Sequence, residues 1–178
     1  MRAVIVGCGR VGATMALALD AAGHDTTIVD LVTRAFDRLP ATFRGNAVRG
    51  DGTDEDTLRR VGAEGADLFL ALTEGDNRNI MAAQLALEAL GIHRVYAKVN
   101  DPVRAQAYAE LGIGTICRTT MMADGLLSAL GEPVGGEPSI REAVGHAHPG
   151  LALRGSSASA AAAATTASTG ATPVAGEA

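Results

Sequence analysis

Met1-Arg-Ala-Val-Ile-Val-Gly-Cys-Gly-Arg-Val-Gly12, followed by Thr26-Thr-Ile-Val-Asp30, decides the fold. The first six residues read as a short buried strand, and the Gly7-Cys-Gly-Arg-Val-Gly12 turn follows without a gap. Val11, Met15, Leu19 and Ala22 then recur at helical spacing before a second β-branched run that ends on an acid. Strand, G-x-G-x-x-G, helix, strand and acid, in that order, make a βαβ dinucleotide-binding unit.

Each part has a physical task. Gly7 permits the tight turn out of the strand, Gly9 lets backbone N–H groups approach a pyrophosphate, and Gly12 lets the helix lie against the sheet. The first turn of that helix leaves unpaired N–H groups facing the anion, with the positive end of the dipole behind them. Asp30 stands where a carboxylate accepts hydrogen bonds from ribose hydroxyls. The same charge repels a 2′-phosphate, which favours NAD or an adenine nucleotide over NADP. The plainer alternative is a sharp strand-to-helix turn that happens to need three glycines.

With 178 residues the chain has room for one ordinary domain, or one domain and a tail. Apolar residues make up 47%, yet there are only three Phe, two Tyr and no Trp, so the core is built from Val, Leu, Ile and Ala. That composition suits buried parallel strands against helices. A net charge of −5 without a basic cluster argues against nucleic acid as a partner and against attachment to anionic lipid. Cys8 and Cys117 form no C-x-x-C and have no His at metal-ligand spacing, so they read as reduced, buried thiols. Met1-Arg2 before apolar residues mimics a signal peptide, but the glycine turn interrupts the apolar stretch. No apolar run approaches the ~20 residues of a membrane span, and the expectation is a soluble protein.

Further along, Leu31 to Leu39 is predicted as a short helix closed by Pro40, and Asn46-Ala-Val-Arg49 as a weak third strand. Thr53, with Asp56 after it, is predicted to cap a short helix through Val61. Asp67-Leu-Phe-Leu-Ala-Leu72 is the clearest buried strand. A long helix opens at Thr73-Glu-Gly-Asp, turns Ile80, Ala83, Leu87 and Leu90 to one face and stops at Gly91. Arg94 to Val99 is a fifth strand, Pro102 starts a helix with Val103, Ala107 and Leu111 inward, and Gly114-Thr-Ile-Cys117 is a sixth strand. The alternation predicts an α/β, Rossmann-like, doubly wound parallel sheet of six strands in the order 3-2-1-4-5-6, with a ligand across the ends of strands one and four.

Thr119 to Leu130 is one more helix, striped by Met122, Leu126 and Leu130, with Met121 and Leu127 beside them; it packs either on its own sheet or on a second subunit. The expected organisation is a nucleotide-binding domain over 1–130, a linker over 131–154 and a disordered Ala/Ser/Thr-rich tail over 155–178. Ser139 to Val144 reads equally as a helical turn or a strand, and His146 and His148 read as solvated.

Several blocks together resemble a known family: Gly7-Cys-Gly-Arg-Val-Gly12, Gly50-Asp-Gly-Thr-Asp54, Thr73-Glu-Gly-Asp-Asn-Arg-Asn79, Ala97-Lys-Val-Asn-Asp-Pro102 and Glu110-Leu-Gly112. Over about residues 1–130 the chain resembles the TrkA N-terminal (KTN/RCK) domain family of potassium-transport regulators. The resemblance implies a cytoplasmic, non-enzymatic gating subunit that dimerises, or builds a larger ring, beneath a membrane potassium channel or transporter. It implies NAD(H) or ATP/ADP as ligand.

It places Gly7, Cys8, Gly9, Arg10, Val11 and Gly12 on the phosphate loop and Asp30 on the ribose. Asp51 and Gly52 fall at the adenosine-contacting position and Thr73 beside the nucleotide, while Asn79 orders a helix start. Lys98 and Glu110 fall around the phosphate or at an inter-subunit site. Plainer readings stand beside these: a solvated Arg10, turn chemistry at Asp51, and surface ion pairs at Lys98 and Glu110. Two departures are visible. Arg118-Thr119 replaces the family's usual Ser-Pro, and the low-complexity tail leaves no room for the usual C-terminal ligand-sensing domain. The competing readings are a small NAD-dependent oxidoreductase, for which no catalytic His or Ser-x-x-x-Tyr-x-x-x-Lys arrangement is evident, and a nucleotide sensor unconnected with potassium.

Overall fold

Each apolar run is followed by a helix that returns the chain across the sheet, so successive strands pair in parallel. The computed structural model describes residues 1–134, 136 and 138–142, all within the unit Met1–His146. In order these form β1 (Arg2–Val6), α1 (Arg10–Ala21), β2 (Asp25–Asp30), a 3₁₀ helix (Thr33–Arg38), β3 (Asn46–Arg49), α2 (Glu55–Arg60) and β4 (Leu68–Ala71). They continue with α3 (Asp76–Gln84), β5 (Val95–Lys98), α4 (Pro102–Glu110), β6 (Gly114–Ile116), α5 (Arg118–Leu130) and β7 (Ile140–Arg141).

The sheet runs β3-β2-β1-β4-β5-β6-β7, with the first six strands parallel as expected. β1 lies at its centre, where Ile5 pairs with Ile28 on one side and Leu70 on the other. Its side chains alternate between two cores. Val4 and Val6 join Phe69, Ile80 and Val95 on one face, and Ala3 and Ile5 join Ala13, Ala16 and Ile28 on the other. Both faces are covered, which is why the strands read as continuous apolar runs.

The structure differs from the sequence reading in five places. On α4 the buried residues are Ala105 and Ala109, whereas Val103, Ala107 and Leu111, expected inward, are exposed. Residues Ile140–Arg141 form a seventh strand, antiparallel to β6, and Cys117 N–H donates to Ser139 O at 2.8 Å. This covers a sheet edge that six strands leave open. The segment after β2 is a half-exposed 3₁₀ helix. The long helix starts at Asp76 rather than Thr73, and over Leu85–Ala89 it widens into a π turn, with Leu90 N–H bonded to Leu85 O at 3.1 Å. Finally, the cap of α2 is Asp54 and not Thr53: its carboxylate accepts Thr57 N–H at 3.0 Å and the Thr57 hydroxyl at 2.6 Å. His146, His148 and the alanine-rich tail lie outside the described residues. Among the described residues no helix is long and apolar enough to cross a membrane.

The cap carries a pH signature. The two Thr57 hydrogen bonds favour the ionised form and hold the Asp54 carboxyl below its usual range. A depressed carboxylate stabilises the fold above its unfolded pKa and loses that contribution as pH falls through the folded one. Asp54→Ala is therefore expected to lower Tm at pH 7, with the deficit shrinking below about pH 4; thermal melts across pH 2.5–7 check it (about six points suffice).

Candidate nucleotide-binding cleft

At the carboxyl ends of β1 and β4, where the strand order reverses, the surface opens into a cleft of about 460 Å³. Three glycines shape it, each for a different reason. Gly7 has φ +103°, and a Cβ there would meet Thr73 N at 2.8 Å and Leu72 C at 2.9 Å. The turn is thus pressed against the end of β4. A Cβ on Gly12 would stand 1.9 Å from Gly7 O, so α1 sits directly on the turn. Gly9 is different: the one described neighbour within 4 Å of its would-be Cβ is Glu74 Oε1, at 3.8 Å. Packing makes no demand for glycine there; the space above Gly9 is the cleft itself.

Gly9 is the N-cap of α1 and no side chain caps that helix. The first intrahelical bond is Ala13 N–H to Gly9 O at 2.9 Å, which leaves the first-turn amides available to an anion. Asp30 ends β2 with its carboxylate anchored at both oxygens, Oδ2 accepting Cys8 N–H at 2.7 Å and Oδ1 accepting Val32 N–H at 2.8 Å. It joins the glycine turn to the far wall of the cleft. An ionised carboxylate has about four lone-pair sites, so acceptor capacity remains for ribose hydroxyls.

Asp51 is engaged in turn chemistry at the edge of the cleft. Its Oδ1 accepts Thr53 N–H at 2.9 Å and the Thr53 hydroxyl at 2.7 Å, an Asx turn, and the residue lines the cleft. Gly52 packs against β1, where a Cβ would stand 2.2 Å from Val6 Cγ1. Thr73 lines the opposite side, and its hydroxyl and N–H both donate to Asn79 Oδ1 at 2.7 Å.

Asn79 does more than order a helix start. It is fully buried, and its Nδ2 donates to Thr73 O at 3.0 Å and Lys98 O at 2.8 Å, clamping the ends of β4 and β5 together. A polar residue beside Ile80 on the inward face of α3 was the visible signal.

Other sequence-predicted residues are not brought to the cleft. Arg10 and Val11 are exposed on α1 and do not line it. Glu110 is exposed at the end of α4, where Gln106 Nε2 donates to it at 3.5 Å. Lys98 is no surface residue: it is 6% exposed, with Nζ 3.9 Å from Oε2 of Glu74. Conversely, Arg38, Glu74 and Arg78 line the cleft without having been singled out, and Leu31, Val32 and Ala35 supply its apolar side. The Cys8 thiol is buried and donates to Ala35 O at 3.3 Å. Burial foremost, then the Asp30 charge, pushes its pKa up, against a smaller opposing effect of Arg38. Among the described residues no cluster of His, Cys, Asp and Glu could hold a metal ion.

The TrkA-N domain model matches residues 3–119, from β1 through β6 to the first turn of α5. The chain belongs to the TrkA-N domain family. A Trk system potassium uptake protein TrkA from Streptomyces coelicolor is 44% identical over 145 residues, which is 82% of this chain and 65% of that protein. This TrkA-N chain thus spans less than two thirds of the length of that relative. Among solved structures, the TrkA-N domain of the inner membrane protein ybaL from Escherichia coli superposes with a TM-score of 0.65 at 18% identity, covering 72% of this chain and 96% of that one. The Shewanella denitrificans Kef CTD in AMP-bound form gives 0.60 at 23% identity, over 75% and 84%. At these identities the likeness speaks for the TrkA-N fold and not for a ligand.

Proposed function

We propose that this chain is a nucleotide-binding regulatory subunit that gates a membrane potassium channel or transporter in response to NAD(H) or ATP/ADP. The observation that carries the reading is the cleft itself, a glycine turn with unpaired amides on one side and the anchored Asp30 carboxylate on the other. Gly7, Gly9 and Gly12 shape the phosphate cradle, Asp30 and Asp51 face the ribose, and Leu31, Val32 and Ala35 flank the base. The domain that does this spans about residues 1–130. Family membership and the Streptomyces coelicolor relative's name support the potassium connection, and the AMP-bound Kef CTD supports an adenine nucleotide on this fold. The subunit works in the cytoplasm and meets the membrane through its protein partner. Titrating the purified chain with NAD, NADH, ATP and ADP tests the reading; no saturable binding of any of the four removes it.

Self-association belongs to the same reading. Helix α5 buries none of its residues, and Met122, Leu126 and Leu130 stand exposed along one side, 62%, 63% and 75% accessible. The structure thus leaves the stripe off its own sheet. A second copy presents an identical apolar stripe, and pairing the two removes both from water. Leu126→Asp is expected to give a monomeric mass by light scattering where the wild type gives a dimer or larger. An unaltered oligomer in the variant counts against α5 as the contact.

A further inference from the structure

The charges lining the cleft are wrong for an anionic ligand. Three carboxylates, Asp30, Asp51 and Glu74, face two guanidinium groups, Arg38 and Arg78. Two of the three carboxylates are committed to backbone: Asp30 accepts the amides of Cys8 and Val32, and Asp51 accepts that of Thr53. Among the described residues Glu74 has no such anchor. Its side chain is 84% exposed, it reaches to 3.8 Å from the would-be Cβ of Gly9, and it faces the buried Lys98 ammonium at 3.9 Å.

On the reading that a nucleotide's phosphates occupy the glycine turn, we propose that Glu74 is a displaceable stand-in for them and sets the ligand's charge selectivity. Without ligand, its carboxylate partly neutralises Lys98 across the mouth of the turn. A buried ammonium needs an anion nearby, and a long contact to a solvated side chain is a partner that yields easily. An arriving phosphate repels Glu74, which swings into solvent; the phosphate then experiences the Lys98 charge in its place. With Lys98 counted, one rotation changes the charges around the cleft from balance to an excess of one positive charge. Asp30 and Asp51 cannot follow without breaking the hydrogen bonds that hold the turn and the wall. A neutral nucleoside triggers none of this.

The test compares wild type with Glu74→Gln, titrated in EDTA with ADP and with uncharged adenosine. The variant is expected to bind ADP about three- to thirtyfold more tightly, from removal of one unit charge beside the phosphates, and adenosine as the wild type does. If the wild type binds ADP and the variant shows equal or weaker ADP affinity, the stand-in role is wrong while the nucleotide site stands. Equal tightening of both ligands also overturns it, since that signals relief of crowding rather than of charge. If neither protein binds ADP or adenosine, the nucleotide reading falls and this inference with it.

Discussion

Gly12→Ala is expected to destabilise the chain by about 3 kcal/mol, in the range for overpacking against atoms that cannot move aside, and to lower Tm by roughly 6–12 °C. The added methyl would stand 1.9 Å from Gly7 O and 3.0 Å from Gly7 C. Both are backbone atoms in a turn held by the Gly7 N–H bond to Val29 O at 2.7 Å. Relief requires α1 to lift from the sheet, taking the buried Ala13 and Ala16 out of their core. Gly9→Ala is the control. Its methyl meets only the movable Glu74 side chain among the described residues, so Tm stays near the wild-type value while the methyl occupies ligand space. Calorimetry and ADP titration on the pair separate a glycine required by packing from one required by the ligand. A Gly12→Ala protein that melts like the wild type would show that the turn is not so confined.

Asp30→Ala is expected to weaken NADH binding by ten- to a hundredfold. A charge-assisted hydrogen bond contributes about 1.5–3 kcal/mol, which is roughly one to two decades of affinity. The variant also leaves the amides of Cys8 and Val32 without their acceptor, so part of the loss comes from a loosened turn. NADPH separates the two effects. A looser turn weakens both dinucleotides alike, whereas removal of the carboxylate ends repulsion of the 2′-phosphate and shifts the NADH/NADPH ratio toward NADPH. An unchanged ratio refutes a ribose-facing role for Asp30.

Six of the seven strands are legible in the residues, five as apolar or β-branched runs with a turn at the end and β3 only weakly, because two of its four residues are polar. β7 is legible only as one of two alternatives, a helical turn or a strand over 139–144, since Ile140–Arg141 is too short to display a period. Thr53 and Asp54 are adjacent cap formers, and the pattern alone does not separate them. The backbone does: Asp54 is the extended residue, at φ −104°, ψ 118°. At the site, Gly7, Gly9, Gly12 and Asp30 were readable because the turn demands them at fixed offsets. Arg38 and Arg78 were not, because an arginine on a helix face looks the same whether it meets solvent or a cleft. Lys98 misled for a related reason. β5 is covered on both faces, so a charged residue in it has no solvent side to occupy. The placement of Glu110 came from family resemblance and from no local pattern, and the structure puts it at the outer end of α4.

The sulfur enclosed in the glycine turn has a practical consequence. With its proton held tightly and Ala35 O accepting it, Cys8 offers peroxides and alkylating agents little thiolate to attack. Oxidative wear will fall instead on the accessible thioethers of Met81, Met121 and Met122. Two of those lie on α5, so if that helix pairs with a second copy, ageing of the protein would loosen the pairing while leaving the glycine turn intact.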